Sequence, residues 1–534
     1  MDSQRERKPF PTMIDERAVE HPDKVFAIIP RTETIHDGYR DFTYGELSKA
    51  VNLMSWWIDR ELGKSTSFET IAYMGIPDIR YAFLFAAALK TRRRILLPLS
   101  HNSRQAHLVL LEATDCRVVI ASKELLPKWN ELRPEIDGFK ILMIPDLQYF
   151  LSDETTENYA FSLTWDEVKD DPIVITHTSG TTGLPKPVTY TNYMLTVFNT
   201  GDGPRIWGDI KLIVPMPPSW MLGFNFQVIS PLDFGTIPIL LPRDAPHPMT
   251  AEYMDKIHTS VQADGGLYIP YLLEELARNP IYLENMRNLK FISFGGAPLS
   301  RETGDVFTKF TRVQPAMGST EVGSYGLKVA DQEDWMYYNF DPATGFQFIP
   351  FQDDLCESVI VRHEYPELAK TQMVFHVFPE LKVFHTQDVW KEHPTKKGLW
   401  LYCGRTDDFV KLNTLTKFNA SHVEGLLMKD PRISGAIMGG DERDMPFLLL
   451  ELADKGAVPP DIVVDLWPVI EKANEDLAIE IRLKQNMVLI ATAEKPLQRI
   501  FKGTINRRAA LEGYTTEIEE LYRRRSGPCE VEAV

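Results

Sequence analysis

Short apolar runs alternate with amphipathic helical patterns from about Ile71 to Phe310 of this 534-residue chain. One predicted strand, Ile71–Met74, precedes a predicted helix over Ile79–Lys90. Another, Phe291–Phe294, precedes a predicted helix over Arg301–Phe310. Repeated strand–helix units favour mostly parallel sheets with helices on both faces, and ligands of such folds bind at the carboxyl ends of the strands. The sequence therefore predicts an α/β fold with doubly wound sheets.

The alternation stops after Val329. The runs Ser358–Arg362, Gln372–Phe378 and Leu399–Tyr402 are strand-like but lack intervening helices, which predicts a small β-barrel-like or antiparallel unit. The final segment has mixed strand and helix character. A chain of this length exceeds one hydrophobic core. We predict a large N-terminal domain over 1–406, a smaller mobile α+β C-terminal lid domain over 407–520, and a tail or linker over 521–534.

Composition and charge exclude several classes of function. The net charge of −17 and the lack of a sustained basic stripe argue against nucleic-acid binding, so an anionic substrate must be held by local groups. The four cysteines are widely scattered, which disfavours zinc and disulfides and suits a reducing compartment. No signal-peptide pattern and no membrane-length apolar run occurs, so we expect a cytoplasmic protein without membrane contact.

A polar loop rich in hydroxyl groups follows the predicted strand Ile173–His177. Its backbone N–H groups, hydroxyls and one ammonium can face a polyanion. The pattern of P-loop nucleotide-hydrolysing enzymes fails here, because Pro185 stands where glycine is required and Pro187 where a serine or threonine would bind magnesium. We predict a phosphate-binding loop of another kind, with an ordinary polar turn as the alternative. Its candidate ligands are Thr178, Ser179, Gly180, Thr181, Thr182, Gly183 and Lys186.

Five further segments follow this loop in order. Each alone has an ordinary interpretation, such as a helix-capping acid, a turn or a surface ion pair. Together with the loop they indicate one nucleotide site. They are Gly295–Leu299, Gly318–Glu321, Thr386–Asp388, Gly404–Asp408 and Phe501–Arg507.

This order of segments resembles the adenylate-forming superfamily, which comprises acyl-CoA ligases, adenylation domains of nonribosomal peptide synthetases, and luciferases. The resemblance extends from about Glu16 to Arg507, and the phosphate loop and Gly404–Asp408 are its most specific parts. Thr416–Glu424 and Glu517–Tyr522 look most similar to the adenylation domains of fungal carboxylic acid reductases of the peptide-synthetase-like type.

The resemblance implies a reaction in two steps. A small carboxylic acid is joined to the α-phosphate of ATP with release of pyrophosphate, and the acyl group then passes to a phosphopantetheine thiol. ATP and Mg²⁺ are the implied cofactors. The acceptor is either a carrier-protein domain, acting in cis or in trans, or coenzyme A. Because the carboxylate is already ionised at neutral pH, the first step needs charge neutralisation more than proton transfer.

The resemblance also implies roles for single residues. The loop would hold the β- and γ-phosphates, Thr320 would contact the α-phosphate, and Glu321 would ligate Mg²⁺. The ribose would bind Asp388 with help from Arg405. Where the family usually has an aromatic residue stacking on adenine, this chain has methionine. The adenine slot would be lined by Gly296, Ala297, Pro298 and Met317.

The resemblance implies a catalytic lysine near the end of the chain. We assign it to Lys502, although the family's lysine commonly follows a glycine and Thr504 occupies that place here; Lys495 is the reserve candidate. Asp407 matches the hinge at which the terminal domain rotates in the family. A helix-capping acid is the alternative interpretation of Asp407.

The segment around Trp220 matches the substrate pocket of the family. No acidic residue occurs between positions 219 and 229, so a buried α-ammonium group would lack a partner. We therefore expect an aryl or otherwise apolar acid without an α-amino group. The aromatic residues have a core interpretation as the alternative. The predicted pocket residues are Trp220, Gly223, Phe224, Phe294, Gly295 and Gly318.

Two other functions remain open at the level of sequence. A free-standing acyl-CoA ligase would use coenzyme A as acceptor, whereas a reductase would need carrier and reductase domains whose motifs this chain does not contain. A nucleotide-binding pseudo-enzyme would have lost the magnesium acid or the lysine, but Glu321 and Lys502 are both present.

Overall fold

The computed structural model describes residues 7–100, 102–132, 135–152, 154–179, 185–198, 201–246, 249–414, 416–475, 477–499 and 505–525. The chain divides into two compact units. The first unit contains Met1–Gln347, Ile360–Phe384 and Glu392–Leu401. The second unit contains Phe348–Val359, His385–Lys391 and Tyr402–Val534.

The strands of the described residues are numbered in chain order. They are β1 Val25–Pro30, β2 Tyr39–Thr43, β3 Thr70–Met74, β4 Arg94–Leu96, β5 Val118–Ala121, β6 Lys140–Met143, β7 Pro172–Ser179, β8 Pro185–Thr191, β9 Lys211–Ile213, β10 Ile237–Ile239, β11 Gly265–Tyr268, β12 Phe291–Gly295, β13 Arg312–Ala316, β14 Gly318–Ser319, β15 Gly323–Ser324, β16 Leu327–Lys328, β17 Tyr337–Phe340, β18 Phe346–Gln352, β19 Leu355–Val361, β20 Val383–Glu392, β21 Leu399–Arg405, β22 Phe409–Lys411, β23 Lys417–Asn419, β24 Ile433–Gly439, β25 Phe447–Leu452 and β26 Val488–Ile490.

The α-helices of the described residues are numbered in the same way. They are α1 Phe10–Glu20, α2 Tyr44–Leu62, α3 Arg80–Lys90, α4 Arg104–Ala113, α5 Leu126–Asn130, α6 Leu147–Leu151, α7 Trp165–Val168, α8 Asn192–Thr196, α9 Gly203–Trp207, α10 Met221–Phe224, α11 Ser230–Asp233, α12 Ala251–Ser260, α13 Pro270–Ala277, α14 Pro280–Asn285, α15 Arg301–Phe307, α16 Pro366–Ala369, α17 Val374–Val377, α18 Ala420–Leu427, α19 Ile462–Glu475, α20 Arg507–Gly513 and α21 Thr515–Arg525. Short 3₁₀ turns occur at Ile35–Asp37, Lys123–Leu125, Gln332–Asp334, Pro342–Thr344, Thr406–Asp408, Ile479–Ile481 and Gln485–Met487.

Two sheets of the first unit have the predicted doubly wound character. One has the strand order β6-β5-β3-β4-β7-β8, parallel except for the antiparallel pair β7–β8. The other has the order β13-β12-β11-β9-β10-β1-β2, parallel except for β1–β2. The helices between consecutive parallel strands bury their apolar faces against these sheets. The predicted α/β fold class is confirmed.

Helix α2 shows how local sequence produces this packing. The Thr43 hydroxyl accepts the Glu46 N–H at 3.3 Å, and the Glu46 carboxylate accepts the Thr43 N–H at 2.8 Å, which forms a capping box at the start of the helix. Leu47, Val51 and Met54 then recur on one face, and each is fully buried in the largest apolar cluster. The cap and the helical period therefore specify this element locally.

The antiparallel part predicted after Val329 is also present. Its sheet has the order β16-β17-β21-β20-β19-β18, with β16–β17 and β17–β21 antiparallel. The boundary between the two units crosses strands β18 to β21. In the second unit, β24 pairs antiparallel with β25, which pairs parallel with β26. Helices α18 and α19 pack with these strands in one apolar cluster, so this part of the second unit has the α+β character predicted for the C-terminal segment.

Two expectations about elements need correction. The run Gln372–Phe378 contains the short helix α17 and not a strand, because its consecutive apolar residues from Met373 to Phe375 all turn into the core. The segment after Trp220 is helical from Met221 and contains a π-helical turn over Asn225–Ile229. Helix α21 runs to Arg525 and so includes the first five residues of the segment expected as a tail.

None of the helices within the described residues combines the length and the apolar character that crossing a lipid bilayer requires.

Candidate functional site

The candidate phosphate loop connects the two strands of a β-hairpin. Strand β7 pairs antiparallel with β8, so Thr178 stands opposite Lys186 and Ser179 opposite Pro185. The Lys186 side chain is exposed and the Thr178 side chain is half-buried. Strand β8 lies at the edge of its sheet, where prolines need not donate to a neighbouring strand. Both ends of the loop are thereby fixed to the sheet.

Gly180, Thr181, Thr182 and Gly183 lie outside the described residues, and Ser179 is described by its backbone alone. Their assignment as phosphate ligands stays a prediction.

The turn containing Thr320 and Glu321 is held directly by strand β8. The buried Tyr190 hydroxyl donates a hydrogen bond to the backbone carbonyl of Thr320 at 2.7 Å. The Thr176 hydroxyl on β7 donates to the Tyr190 hydroxyl at 3.3 Å. The strands on both sides of the loop are thus connected to the predicted α-phosphate contact, 130 positions beyond Tyr190.

The Glu321 carboxylate fits a hard divalent cation. Its side chain is half-buried, and within the described residues no hydrogen bond or ion pair engages its oxygens. Mg²⁺ prefers oxygen ligands and commonly binds one or two carboxylates together with phosphate oxygens. A different acidic group, formed by Asp331, Glu333 and Asp334, forms ion pairs with Lys396, whose Nζ lies 2.6 Å from Glu333 and 2.5 Å from Asp334. The role of Glu321 as a magnesium ligand stays a prediction.

The predicted adenine slot lies where two neighbouring parallel strands end. Strand β12 pairs with β13 so that Gly295 stands opposite Ala316. A Cβ at Gly295 would meet the Ala316 carbonyl oxygen at 2.7 Å, so only glycine fits there. Gly296 follows with a φ of 87°, in the region that favours glycine. The chain thus leaves both strands at one edge of the sheet.

The other predicted slot residues follow these two strands. Ala297 and Pro298 continue from β12, and Met317 and Gly318 continue from β13. Met317 is half-buried, and its carbonyl accepts the Tyr325 N–H at 3.0 Å. Their placement at the carboxyl ends of adjacent strands agrees with the general position of ligands in such sheets.

Among the predicted substrate-pocket residues, Trp220 is partly accessible to solvent, whereas Phe224 and Phe294 are buried. Trp220 is half-buried before helix α10, and a Cβ at Gly223 would meet the Pro217 carbonyl oxygen at 2.2 Å. Phe224 is fully buried and packs its ring edge-on against Phe85, with centroids 5.3 Å apart. Phe294 is likewise buried, 5.9 Å from the Trp335 ring. Phe224 and Phe294 make the contacts of core residues, and their role in a pocket stays a prediction.

The second unit brings Asp388 and Arg405 together. The Asp388 side chain is 5% exposed, and its Oδ1 lies 3.7 Å from Nη1 of Arg405. The Arg405 guanidinium also donates from Nη2 to the Gln387 side-chain carbonyl at 2.8 Å. The Arg405 N–H donates to the Asp408 carboxylate at 2.9 Å. The two residues predicted for the ribose are therefore neighbours within this unit.

The segment carrying Lys502 lies outside the described residues, but its two ends are described. Arg499 pairs with Ile505 in an antiparallel bridge, and the Asn506 N–H donates to the Gln498 carbonyl at 2.8 Å. The reserve candidate, Lys495, forms an ion pair with Glu517 and lies 4.5 Å from the Tyr514 ring centroid. Lys495 is thus engaged within its own unit.

The predicted hinge residue Asp407 is described by its backbone, in the 3₁₀ turn Thr406–Asp408. Its role as a hinge stays a prediction.

Tyr190 and Gln387 contact predicted site residues, but the sequence analysis did not single them out. Val188 and Tyr190 alternate inward with the period of a strand, which is the available signal for β8, but Pro185 and Pro187 obscured it. Gln387 stands inside the Thr386–Asp388 segment as an ordinary polar residue. Its contact with Arg405 joins positions 18 apart and leaves no pattern in the sequence.

Two family models match the chain. The model described as AMP-binding enzyme matches residues 14–344, and the model described as AMP-binding enzyme C-terminal domain matches residues 407–526.

Curated relatives are similar over nearly the whole chain. An isocyanide synthase-NRPS hybrid, crmA, of Aspergillus fumigatus is 28% identical over 542 aligned residues, covering 97% of this chain and 34% of the relative. A carboxylic acid reductase of Neurospora crassa is 27% identical over 535 aligned residues, covering 96% of this chain and 50% of the relative. The chain thus spans a third to a half of the length of these relatives.

Solved structures share the fold at low sequence identity. The anthranilate CoA ligase AuaEII with anthranoyl-AMP matches with a TM-score of 0.68 and 14% identity, covering 94% of this chain and 96% of that one. A benzoate CoA ligase from Burkholderia xenovorans matches with a TM-score of 0.66 and 15% identity, covering 94% and 99%. With the family models matching most of its length, the chain belongs to the AMP-binding, adenylate-forming enzymes, which activate carboxylic acids.

Proposed function

We propose that this chain is the adenylation domain of a carboxylic acid reductase or of a closely similar multidomain enzyme. It activates an aryl or apolar carboxylic acid without an α-amino group and transfers the acyl group to the phosphopantetheine thiol of a carrier protein. The alignment with the Neurospora crassa carboxylic acid reductase over 96% of this chain and half of that protein carries the proposal. The absence of acidic residues between 219 and 229 supports the class of acid.

The first step joins two anions. The substrate carboxylate attacks the α-phosphorus of ATP, an oxygen–phosphorus bond forms, and pyrophosphate leaves with the electron pair of the broken bond. Both reactants are negative, so local positive charge and hydrogen-bond donors must stabilise the transition state. The hairpin loop ending at Lys186 would hold the outer phosphates, and the Thr320 hydroxyl would donate to the α-phosphate. Mg²⁺ held by Glu321 would neutralise phosphate charge.

The second unit would supply two further functions. Asp388 and Arg405, which lie side by side, would bind the ribose hydroxyls, and Lys502 would bridge the substrate carboxylate and the α-phosphate. A rotation at Asp407 would then present another face of the terminal domain for thiol transfer, so that one pocket serves both steps.

Pyrophosphate exchange with a panel of acids tests the first step. We expect exchange with benzoic-type acids and none with α-amino acids. Lys502→Ala should reduce the exchange rate by at least about 100-fold, because a charge acting in the transition state is worth several kcal/mol. Lys495→Ala is the matched control and should retain activity. Exchange with amino acids would contradict the proposed acid class, and full activity of Lys502→Ala would move the catalytic role to Lys495.

A comparison of acceptors tests the second step. Thioester formation is measured with coenzyme A and with a phosphopantetheinylated carrier domain as alternative acceptors. We expect faster transfer to the carrier domain. Faster transfer to coenzyme A would instead identify the chain as an acyl-CoA ligase.

A further inference from the structure

The Tyr190 hydroxyl occupies a junction between two separate parts of the first unit. It accepts a hydrogen bond from the Thr176 hydroxyl at 3.3 Å and donates one to the Thr320 carbonyl at 2.7 Å. Thr176 precedes the candidate phosphate loop on β7, and Tyr190 follows it on β8. The hydroxyl thus links the hairpin carrying the loop to the peptide bond between Thr320 and Glu321.

The Tyr190 hydroxyl lies in buried surroundings that keep it a hydrogen-bond donor. Tyr190 has no exposed surface, and burial raises its pKa well above the ordinary value, with the nearby charge of Glu321 raising it further. The hydroxyl therefore stays protonated at neutral pH and remains a donor. The bond to the Thr320 carbonyl is partly buried, and a carbonyl that loses its donor in such surroundings is destabilised by part of its desolvation cost, so the Thr320 peptide favours this orientation.

This orientation bears on both residues of the predicted pair. The Thr320 carbonyl belongs to the same rigid peptide plane as the Glu321 N–H, and a fixed plane restricts the direction in which Glu321 leaves the backbone. The Thr320 side chain is attached to the other end of this plane. The Ser319 hydroxyl accepts the Val322 N–H at 3.2 Å, which closes the turn around the pair.

We propose that Tyr190 is a positioning residue for nucleotide and magnesium binding, because its hydroxyl fixes the Thr320–Glu321 peptide relative to the phosphate-loop hairpin. The inference rests on the proposed function, since it requires the loop and the Thr320–Glu321 pair to act on one Mg²⁺-bound triphosphate. Tyr190 would contact neither ATP nor Mg²⁺, but it would set the position of the Thr320–Glu321 pair relative to the phosphate-loop hairpin.

The ordinary alternative is a tyrosine that only stabilises the core. Tyr268 provides a matched control for that alternative in the same unit. It is also fully buried, and its hydroxyl lies 2.9 Å from Nε2 of His258, on a strand and a helix that carry no predicted site residue. Tyr268→Phe removes a buried, hydrogen-bonded hydroxyl just as Tyr190→Phe does.

Calorimetric titration of the full chain with ATP, at several Mg²⁺ concentrations, tests the inference without any acid substrate. We expect Tyr190→Phe to weaken ATP binding about tenfold and to raise the Mg²⁺ concentration for half-maximal binding about fivefold, because the partly buried Thr320 carbonyl loses its donor. Thr176→Val, which leaves the bond to Thr320 intact, should change both quantities less. Tyr268→Phe should leave both at the wild-type values.

The outcomes separate the inference from the proposed function. If wild-type protein binds ATP and Tyr190→Phe binds it with unchanged affinity and Mg²⁺ requirement, the positioning role is overturned while the proposed function stands. If Tyr190→Phe and Tyr268→Phe weaken binding equally, general destabilisation explains the effect and the positioning role is again overturned. If the wild-type protein binds no ATP at any Mg²⁺ concentration, the proposed function itself fails.

Discussion

Gln387 adopts a backbone conformation that few side chains take. Its φ is 63°, in the left-handed region, and it stands in strand β20 directly before Asp388. The strained residue places its side-chain carbonyl 2.8 Å from Nη2 of Arg405, while the Asp388 N–H donates to the Thr386 hydroxyl at 3.1 Å. Strain of this kind is maintained where the surroundings determine it, often at functional sites.

The conformation of Gln387 leads to a prediction about ribose recognition. Replacing Gln387 with glycine removes the contact with Arg405. It also relieves the strain of the left-handed backbone conformation, which stabilises the folded state by about 1 kcal/mol and roughly offsets the entropy that glycine loses on folding. We expect the Tm to change by less than about 2 °C while the preference for ATP over 2′-deoxy-ATP falls about three- to fivefold. Dissociation constants for the two nucleotides measure this preference.

Two other variants make the test specific. Glu442→Gly removes an exposed residue with a φ of 57° elsewhere in the second unit and should leave the preference unchanged. Gln387→Glu keeps an acceptor for Arg405 and should restore the preference for ATP over 2′-deoxy-ATP. An unaltered preference in Gln387→Gly would mean that this contact does not orient Arg405.

At the scale of elements, strand β24 anchors both ends of the segment that carries Lys502. Arg499 donates to the Ser434 carbonyl at 2.8 Å and pairs with Glu451, whose side chain is 5% exposed. Arg507 donates to the Met438 carbonyl at 2.7 Å and pairs with Glu424. The two arginines thus bind carbonyls near opposite ends of one strand, and residues 500–506 lie between them in the chain.

Weakening one anchor should affect the lysine-dependent step more than the thiol transfer. In Glu451→Gln, the Arg499 ion pair becomes a weaker hydrogen bond from the guanidinium to an uncharged amide, and we expect the pyrophosphate exchange rate to fall about tenfold. Thioester formation from a preformed acyl-adenylate should change less than about threefold, because Lys502 is proposed for the first step alone. Arg432→Met, which breaks the exposed pair with Asp430 at 2.7 Å, is the control and should change neither rate. Equal losses in both steps would contradict the anchoring role.

His258 on helix α12 makes the free energy of unfolding depend on pH. Nε2 of His258 lies 2.9 Å from the Tyr268 hydroxyl, and burial lowers the His258 pKa to about 4 from its usual 6.5. The unfolded chain therefore binds a proton below pH 6.5 that the folded chain accepts only near pH 4. Stability is unaffected above about pH 7 and decreases as the pH falls through this window.

Removing the titratable ring should flatten this acid dependence. Between pH 7.5 and pH 4.5, the free energy of unfolding falls in both proteins, and we expect the fall to be about 2.5 kcal/mol smaller in His258→Gln than in the wild type. Urea titrations at both pH values measure the difference. His21→Gln, at an exposed position of the same unit, should reproduce the wild-type dependence. A wild-type slope in His258→Gln would show that this histidine is not buried in its neutral form.

At the scale of the whole molecule, the net charge opposes the proposed substrate. The chain has 75 acidic and 58 basic residues, for a net charge of −17, whereas Mg²⁺-bound ATP is itself negative. The long-range field therefore repels the nucleotide, and the groups proposed to attract it, such as Lys186 and Arg405, are few and local.

Salt should therefore accelerate nucleotide association. Raising the ionic strength from about 20 to about 150 mM shortens the Debye length and screens the distant acids, so we expect the association rate constant to rise about twofold. Stopped-flow measurements with ATP determine it, and adenosine, which is neutral, serves as the control. A rate that falls with salt would mean that the local positive groups dominate the approach.

The fold and the order of the site segments could be read from local patterns. Apolar alternation gave the parallel strands, and the capping residues at Thr43 and Glu46 mark the start of α2. Prediction failed where neighbours in space override local preference. Gln372–Phe378 has strand-forming residues but forms the helix α17, and the prolines at Pro185 and Pro187 concealed an edge strand whose position permits them.

The sequence by itself determined the family, the doubly wound architecture and the residues proposed to bind the nucleotide, because periodicity and motif order are properties of adjacent positions. Only the tertiary structure placed the Tyr190 hydroxyl on the Thr320 carbonyl, Gln387 against Arg405, and the two arginine anchors on β24. These contacts join residues far apart in the chain through single hydrogen bonds. No local pattern records such a bond, because its energy depends on where two separately folded strands come to lie.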